Sequence, residues 1–369
     1  MTENGEKKAL ILSGIMWNDT KQRHQTIAEI FAEEGYEVYF VEGIVSSSFS
    51  VKKLISRLRN RKNNKTGTQP ELTVPKKIHV TGGGYVNPDG GLFKLVNFRR
   101  NKKIIGEIGN RFDVVIDYLP INTTADFLDR IKYKLLIFDC VRDFCNWGGY
   151  PKSLPKIEGR LCEKSDYIFT DSFYLTDKMK KKYGDKVVQL LPTVGDEISD
   201  GSYIKKSGKI KKIGYIGSLG THIDTDLLAK LSSEGYEIHL FGRAETELDL
   251  KIVDHGFFTD LYQMMNEVKA SADALIIPYK GNMDGVIPAK TIQCLSTGLP
   301  VFVSDFYDSR RLGEYLYVYR NAEELGNLLT NFDYDDFYKR RDKIDKFVKE
   351  NTVKNLKGRI ERIINDKNE

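Results

Sequence analysis

The stretch ADALIIPYKGNMDGVIPAKTIQCLSTGLPVFVSD, residues 272–305, decides the fold. A short apolar run stops at Tyr279 and Lys280, and a glycine-bearing loop follows. Pro288 then opens a helix with Lys290 in its first turn, Gly298 closes that helix, and Pro300 leads into a second apolar run. Proline suits the first helical position and glycine the C-terminal stop. Two buried strands joined by a helix read as one unit of a parallel sheet. Lys290 is the residue that points to chemistry. A cation in a first helical turn opposes the helix dipole, so its placement is unfavourable unless an anion shares that end. A nucleotide pyrophosphate would be such an anion; a solvated lysine is the plainer alternative.

Working outward, the same rhythm fills both halves of the chain. Strands are expected over 8–13, 37–41, 72–80, 113–118, 134–139, 167–170 and 187–191, then over 213–216, 237–241, 274–278 and 301–303. Most are continuous apolar runs, as in sheets covered on both faces. Helices are expected over 224–231, 261–271 and 289–295. The polar stretch DGSYIKKSGKIKK from Asp200 suits a linker. The fold class is therefore α/β, two doubly wound, Rossmann-like parallel-sheet domains facing one cleft. The first spans 1–200 and the second 201–345, with a helical tail over 346–369 that either returns to the first domain or finishes the second.

At 369 residues the chain has room for two ordinary domains, and 40% hydrophobic with 30% charged residues is a globular composition. The N-terminus lacks a signal-peptide pattern, and no apolar run is long enough to span a membrane. Cys140, Cys145, Cys162 and Cys294 lack the spacing of a zinc site and are too sparse for a disulfide framework. They read as reduced core thiols, hence a cytoplasmic location.

KKIGYIGSLG, residues 211–220, is a strand ending in a glycine-bearing loop, the place where doubly wound sheets bind phosphates. Taken with the opening stretch, it resembles the donor half of family 4-like GT-B glycosyltransferases, in particular those of bacterial cell-surface polysaccharide synthesis (teichuronic acid or exopolysaccharide type). The pattern GxxGxxxxxxDxxLL is met by Gly214, Gly217, Asp224, Leu227 and Leu228. A strand ending hLhG is met by Leu240, Phe241 and Gly242, followed by Arg243. PxKxxEhLAxGxPVV is met by Pro288, Lys290, Leu295, Gly298, Pro300 and Val301, with Gln293 in place of the usual Glu and Gly285 in place of the acid eight positions earlier.

The resemblance implies a nucleotide-sugar donor, with Gly217 and Ser218 facing its phosphates and Arg243 with Lys280 or Lys290 neutralising them. It further implies that the turn over 256–258, with Phe257 and Phe258, lines the base and that Gln293 meets the ribose. His222, Tyr279 and Pro288 complete the expected donor site. No metal or other cofactor is expected. The triplet Asp224-Thr225-Asp226 looks like a metal-binding DxD, yet at a helix start acids are favoured by capping alone.

In the first half the resemblance extends to Trp17, Arg23, His24, Gln25, Gly35, Val38 and Glu42. Trp17 and Arg23 are expected at the acceptor, and His24 as a catalytic group able to titrate near neutral pH. A solvent-facing first helical turn is the bland alternative for that pair. In LLIFDCVRDFCNWGGYP, residues 135–151, a buried strand ends in acids. Asp143 is the expected catalytic base, since a carboxylate is needed to deprotonate an acceptor hydroxyl in an inverting transfer. Asp139 reads as structural, and Arg142 and Trp147 as acceptor contacts.

Charge is uneven. Residues 51–103 hold 14 Lys and Arg against Glu71 and Asp89, whereas the whole chain carries only +5. Within them, 50–65 and 91–103 combine apolar positions with a dense cationic face. The resemblance implies a nucleotide sugar and a glycan or lipid-linked acceptor as partners; basic amphipathic segments attach to anionic membranes, which adds the inner face of a cell membrane. No nucleic-acid motif accompanies the charge, and a merely solvated face is the bland reading. Two further functions remain open: a catalytically silent scaffold that binds nucleotide or glycan, and a nucleotide-sugar 2-epimerase.

Overall fold

The computed structural model describes residues 6–44, 73–146, 153–198, 203–243 and 251–367. Trp147 and the basic segment 50–65 lie outside the described residues. The chain divides into two compact units, one of residues 1–170 and 175–189, the other of 171–174 and 190–369.

The first unit runs β1 (Lys8–Leu12), α1 (Arg23–Glu33), β2 (Glu37–Glu42), β3 (Ile78–Gly82), α2 (Phe93–Ile108), β4 (Arg111–Asp117), α3 (Asn122–Asp129), β5 (Lys132–Cys140), α4 (Leu154–Lys164), β6 (Tyr167–Thr170), α5 (Phe173–Tyr183, of which it holds the part from Leu175) and β7 (Val187–Gln189). Its strands form one sheet in the order β3-β2-β1-β4-β5-β6-β7, with every pairing parallel. The order reverses between β1 and β4, where Leu12 pairs with Asp117. Central strands are apolar throughout, as two covered faces require: Ala9 to Leu12 are all fully buried.

β3 starts six residues later than the expected 72–80. The Pro75 carbonyl accepts from the Ile78 amide at 2.9 Å, a turn that delays pairing until the Pro-Lys-Lys stretch has passed. β7 likewise ends at Gln189 instead of 191.

The second unit runs β8 (Lys212–Ile216), α6 (Thr225–Ser233), β9 (Glu237–Phe241), β10 (Ile252–Asp254), α7 (Leu261–Ser271), β11 (Ala274–Ile277), α8 (Lys290–Ser296), β12 (Val301–Ser304), α9 (Tyr307–Arg311), β13 (Tyr317–Tyr319), α10 (Ala322–Thr330), α11 (Tyr334–Lys339), α12 (Arg341–Glu350) and α13 (Val353–Asp366). Its sheet is parallel in the order β10-β9-β8-β11-β12-β13. The reversal falls between β8 and β11, with Gly214 opposite Leu275. A Cβ on Gly214 would meet the Leu275 Cδ2 at 2.8 Å, so the motif glycine lets these central strands pack.

Two helix starts are held by the acids the sequence places there. The Asp224 carboxylate accepts from the Leu227 amide at 3.0 Å and the Asp260 carboxylate from the Gln263 amide at 3.0 Å. Each satisfies an amide that the helix leaves unpaired.

Candidate functional site

In an open α/β sheet, ligands bind beyond the carboxyl ends of the strands at the point where strand order reverses. In the second unit that point lies after β8 and β11, so Gly217, Ser218, Tyr279 and Lys280 leave the sheet there. The loop after β8 is stitched to the one after β11: the Asp224 amide donates to the Pro278 carbonyl at 2.8 Å, the Lys280 amide to the His222 carbonyl at 2.9 Å, and the His222 and Tyr279 rings stack at 5.2 Å.

Lys290, the first residue of α8, reaches into this junction. Its Nζ donates to the Tyr215 hydroxyl at 2.8 Å and lies over the Tyr215 and Tyr279 rings at 4.4 and 5.5 Å. The Tyr215 hydroxyl in turn donates to the Ser218 carbonyl at 3.0 Å. Burial pushes the Lys290 ammonium down to about 8. Among the described residues no carboxylate forms an ion pair with it. Two aromatic faces and a hydroxyl offset only part of the cost of desolvating a cation. The site therefore favours an anion.

Gly217 supplies space. Its φ of 116° lies in the region that favours glycine, and a Cβ there would stand 2.7 Å from the Lys290 Nζ. Its own amide donates to the Phe241 carbonyl at 2.9 Å, so Gly217 does not offer that N–H to a phosphate. Gly242 abuts the Gly217 carbonyl oxygen so closely that no side chain fits. Ser218 is exposed beside it.

At the sheet edge the Arg243 guanidinium stacks over the Phe257 ring at 4.1 Å, and Phe257 is 47% exposed. Gly256, at φ 76°, turns the chain out of β10, and its amide donates to the Asp254 carboxylate at 2.8 Å. Phe258 instead packs partly into the core. Gln293 follows Lys290 by three residues on α8 and is half-buried, while the Lys280 side chain is exposed. Pro288 is buried and its carbonyl accepts from the Thr291 amide at 2.8 Å, closing the turn that delivers Lys290. A cavity of about 420 Å³ opens beside Tyr279, lined also by Asp224, Ser304, Tyr319 and Arg320.

The first unit gathers a different set at its own reversal. The His24 Nδ1 is 2.9 Å from the Ser13 hydroxyl, and its ring stacks on Tyr118 at 3.6 Å. Burial, reinforced by the Arg23 charge, pushes His24 down to about 3. This corrects two expectations: His24 does not titrate near neutral pH, and it does not face solvent. Arg23 Nε donates to the Asp139 carboxylate at 2.7 Å, tying α1 to the end of β5. Asp139 thus meets an arginine side chain and not the backbone at its strand end.

Asp143 is 2% exposed. One oxygen meets Lys178 Nζ at 2.6 Å and the other accepts from the Asn146 side chain at 2.7 Å. The expected base is therefore a buried ion-pair partner, drawn inward with Phe144 as the chain turns after β5. Trp17 departs from expectation in the same way. It is 2% exposed, packs edge-on against Phe40 at 5.1 Å, and belongs to the core rather than to an acceptor surface. Arg142 is exposed.

Asp117 is a residue that the sequence reasoning missed. It ends β4, is fully buried, and accepts from the Leu119 amide at 2.9 Å. Burial outweighs its hydrogen bonds and pushes it up to about 7. It lines a cavity of about 440 Å³ with Ile121, Leu128, Ile157 and Leu161. The available signal was an acid closing the apolar run of FDVVID, the same signal that singled out Asp139.

No protein-family model and no curated protein matches the chain. Solved structures do. A glycosyltransferase from Rickettsia africae matches with a TM-score of 0.67 at 11% identity, over 99% of this chain and 99% of its own. HepE of Anabaena in complex with UDP and glucose matches with a TM-score of 0.66 at 11% identity, over 98% and 100%. The lipopolysaccharide outer core galactosyltransferase WaaB matches with a TM-score of 0.61 at 12% identity, over 96% and 99%. Over nearly its whole length, the chain has the GT-B fold that these glycosyltransferases share, built on two parallel α/β sheets.

Proposed function

We propose that the protein is a glycosyltransferase that takes its sugar from a nucleoside diphosphate sugar bound at the carboxyl end of the second sheet. The acceptor in this reading is a glycan or lipid-linked glycan of a bacterial surface polysaccharide. The observation that carries the reading is Lys290, a desolvated cation at the strand reversal beside Gly217. When the bond from the anomeric carbon to the diphosphate breaks, negative charge grows on the leaving oxygen. A cation already in place there stabilises the transition state without reorganising. Arg243 offers a second positive group next to an exposed aromatic face suited to a nucleobase. The UDP and glucose named for HepE, and the lipopolysaccharide outer core named for WaaB, support this choice of ligands.

The test is transfer or donor hydrolysis followed with a panel of nucleotide sugars. The reading expects one donor to release its nucleoside diphosphate and Lys290→Ala to suppress that release. It fails if no nucleotide sugar is bound or consumed. A second reading, a silent nucleotide- or glycan-binding scaffold, is favoured by Gln293 and Gly285 standing where the motif that the chain resembles has acids. Tight nucleotide binding without turnover of any donor would select it.

A further inference from the structure

Helix α2 is turned inside out in its first half. Toward the core it presents Asn97 and Asn101, both fully buried. Asn97 accepts from the Val86 amide at 2.9 Å and donates to the Val86 carbonyl and the Thr123 hydroxyl. Asn101 donates to the Thr123 carbonyl at 2.8 Å and the Asp126 carboxylate at 2.9 Å, and accepts from the Tyr85 hydroxyl at 3.0 Å. Toward solvent the same turns present Leu92, Phe93, Leu95 and Val96, which are 81, 45, 49 and 45% exposed.

A single exposed leucine needs no explanation, but Leu92, Leu95 and Val96 opposite two buried amides, with exposed Phe93 flanking them in the first turn, make a patch. One to two turns further on, Arg99, Lys102 and Lys103 are exposed as well. Residues spaced by three, four and seven share a helix face, so Leu92, Leu95 and Val96 lead into Arg99, Lys102 and Lys103 along one side. Only Glu107, 4.0 Å from Lys103, appears as an acid in the described ion pairs of this helix.

We propose that this face of α2 docks the protein on an anionic lipid bilayer, with Leu92, Phe93, Leu95 and Val96 seated at the boundary of headgroups and acyl chains and Arg99, Lys102 and Lys103 against lipid phosphates. The combination selects the occupant. Nucleic acid matches the cations but leaves the apolar group in water, and a second copy would bring like charges together. An interface of apolar residues bordered by cations matches an anionic membrane surface on both counts. Docking is independent of the transferase reading, because nothing in it involves the second unit.

Co-sedimentation of the full chain with vesicles of phosphatidylcholine alone, or mixed with phosphatidylglycerol, tests the proposal. Binding is expected only to the mixed vesicles. It should fall roughly tenfold when Leu92, Phe93, Leu95 and Val96 are all changed to Gln. Arg99→Glu, Lys102→Glu and Lys103→Glu together should lower it on the order of a hundredfold. These side chains are exposed, so an unchanged melting temperature in both variants shows that the fold is intact. In Phe93→Trp, brominated lipid should quench the new fluorophore. The proposal is overturned if the wild-type chain stays in the supernatant with both vesicle types, or if binding survives the four glutamines with no bromolipid quenching. It is overturned equally if the same face is protected only by nucleic acid or by self-association.

Discussion

Lys290 Nζ and the Tyr215 hydroxyl are 2.8 Å apart, which places an ammonium over an aromatic ring at the point where the second sheet reverses its strand order. The ammonium, pushed down to about 8 by burial, loses its proton within an accessible pH range.

A bound diphosphate favours the protonated lysine, so binding must take up a proton wherever the free protein has lost one. Near pH 8.5, Lys290 should take up as much as about three-quarters of a proton when a nucleoside diphosphate binds, and near pH 6.5 almost none. Calorimetry in buffers of different ionisation heat measures this uptake. Lys290→Met should abolish it.

The contact between Gly242 and the Gly217 carbonyl leaves no room for a methyl group. Gly242→Ala should therefore destabilise the protein by about 1–3 kcal/mol and displace the loop after β8. Gly326, within α10, has open space around its Cβ position, and Gly326→Ala should stabilise by roughly 0.5–1 kcal/mol. Denaturant titration of both variants separates a steric effect from a general glycine effect.

Asp143 and Lys178 form a pair in which the carboxylate is buried and the ammonium is one third exposed. Burial pulls the Lys178 pKa down, but the hydrogen bond and charge of Asp143 outweigh it and leave it raised. If the pair is structural, Asp143→Asn should cost roughly 1–3 kcal/mol of stability, since Lys178 loses its ion-pair partner while Glu158 and solvent offset part of the loss. Turnover measured well below the melting transition should then stay within a few-fold of wild type, on the order of what second-layer contacts contribute. A loss of several orders of magnitude at unchanged stability would restore Asp143 as the base.

The histidine on α1 makes a prediction of opposite kind. His24 has a folded pKa near 3 against 6.5 for an open chain. Below pH 6.5 the unfolded chain binds a proton that the folded one refuses. The stability tied to neutral His24 is therefore complete above that pH and lost as pH falls toward 3. The slope is about 1.4 kcal/mol per pH unit. His24→Gln, which keeps a hydrogen-bonding amide beside Ser13, should make the acid-side fall in stability shallower by that amount. It should add or remove no limb in the pH profile of turnover between pH 5 and 8, roughly the range in which an unperturbed histidine would titrate.

The architecture was legible because buried parallel strands are written as uninterrupted apolar runs, and β1, β2, β5, β9 and β12 all lie where those runs are. β10 and β13 escaped notice because they are three-residue strands at a sheet edge, and Val253 in β10 is 38% exposed. Three residues are too few to stand out as an apolar run. In the second unit the spacing of Gly217, Gly242, Pro288 and Lys290 announced the junction that the structure assembles.

The first unit was harder to read for a physical reason. Sequence shows that His24, Asp139 and Asp143 follow strand ends or open a helix, yet exposure depends on which way the connecting turn folds. Asp143 is turned inward beside Phe144, and Trp17 is claimed by Phe40. The charge density of 91–103 was visible in the sequence, whereas the reversal of inside and outside on α2 needed the hydrogen bonds of Asn97 and Asn101 to be seen.

The central claim is that Lys290 receives the diphosphate of a nucleotide-sugar donor, and calorimetric titration of a panel of nucleoside diphosphates into wild type and Lys290→Met tests it most directly. Saturable binding of at least one of them to wild type is expected. Binding to Lys290→Met should be weaker by about 10–100-fold at unchanged fold stability, the loss of one charge-assisted hydrogen bond. Failure of every nucleoside diphosphate to bind the folded wild-type protein, or equal affinity in the two proteins, would contradict it.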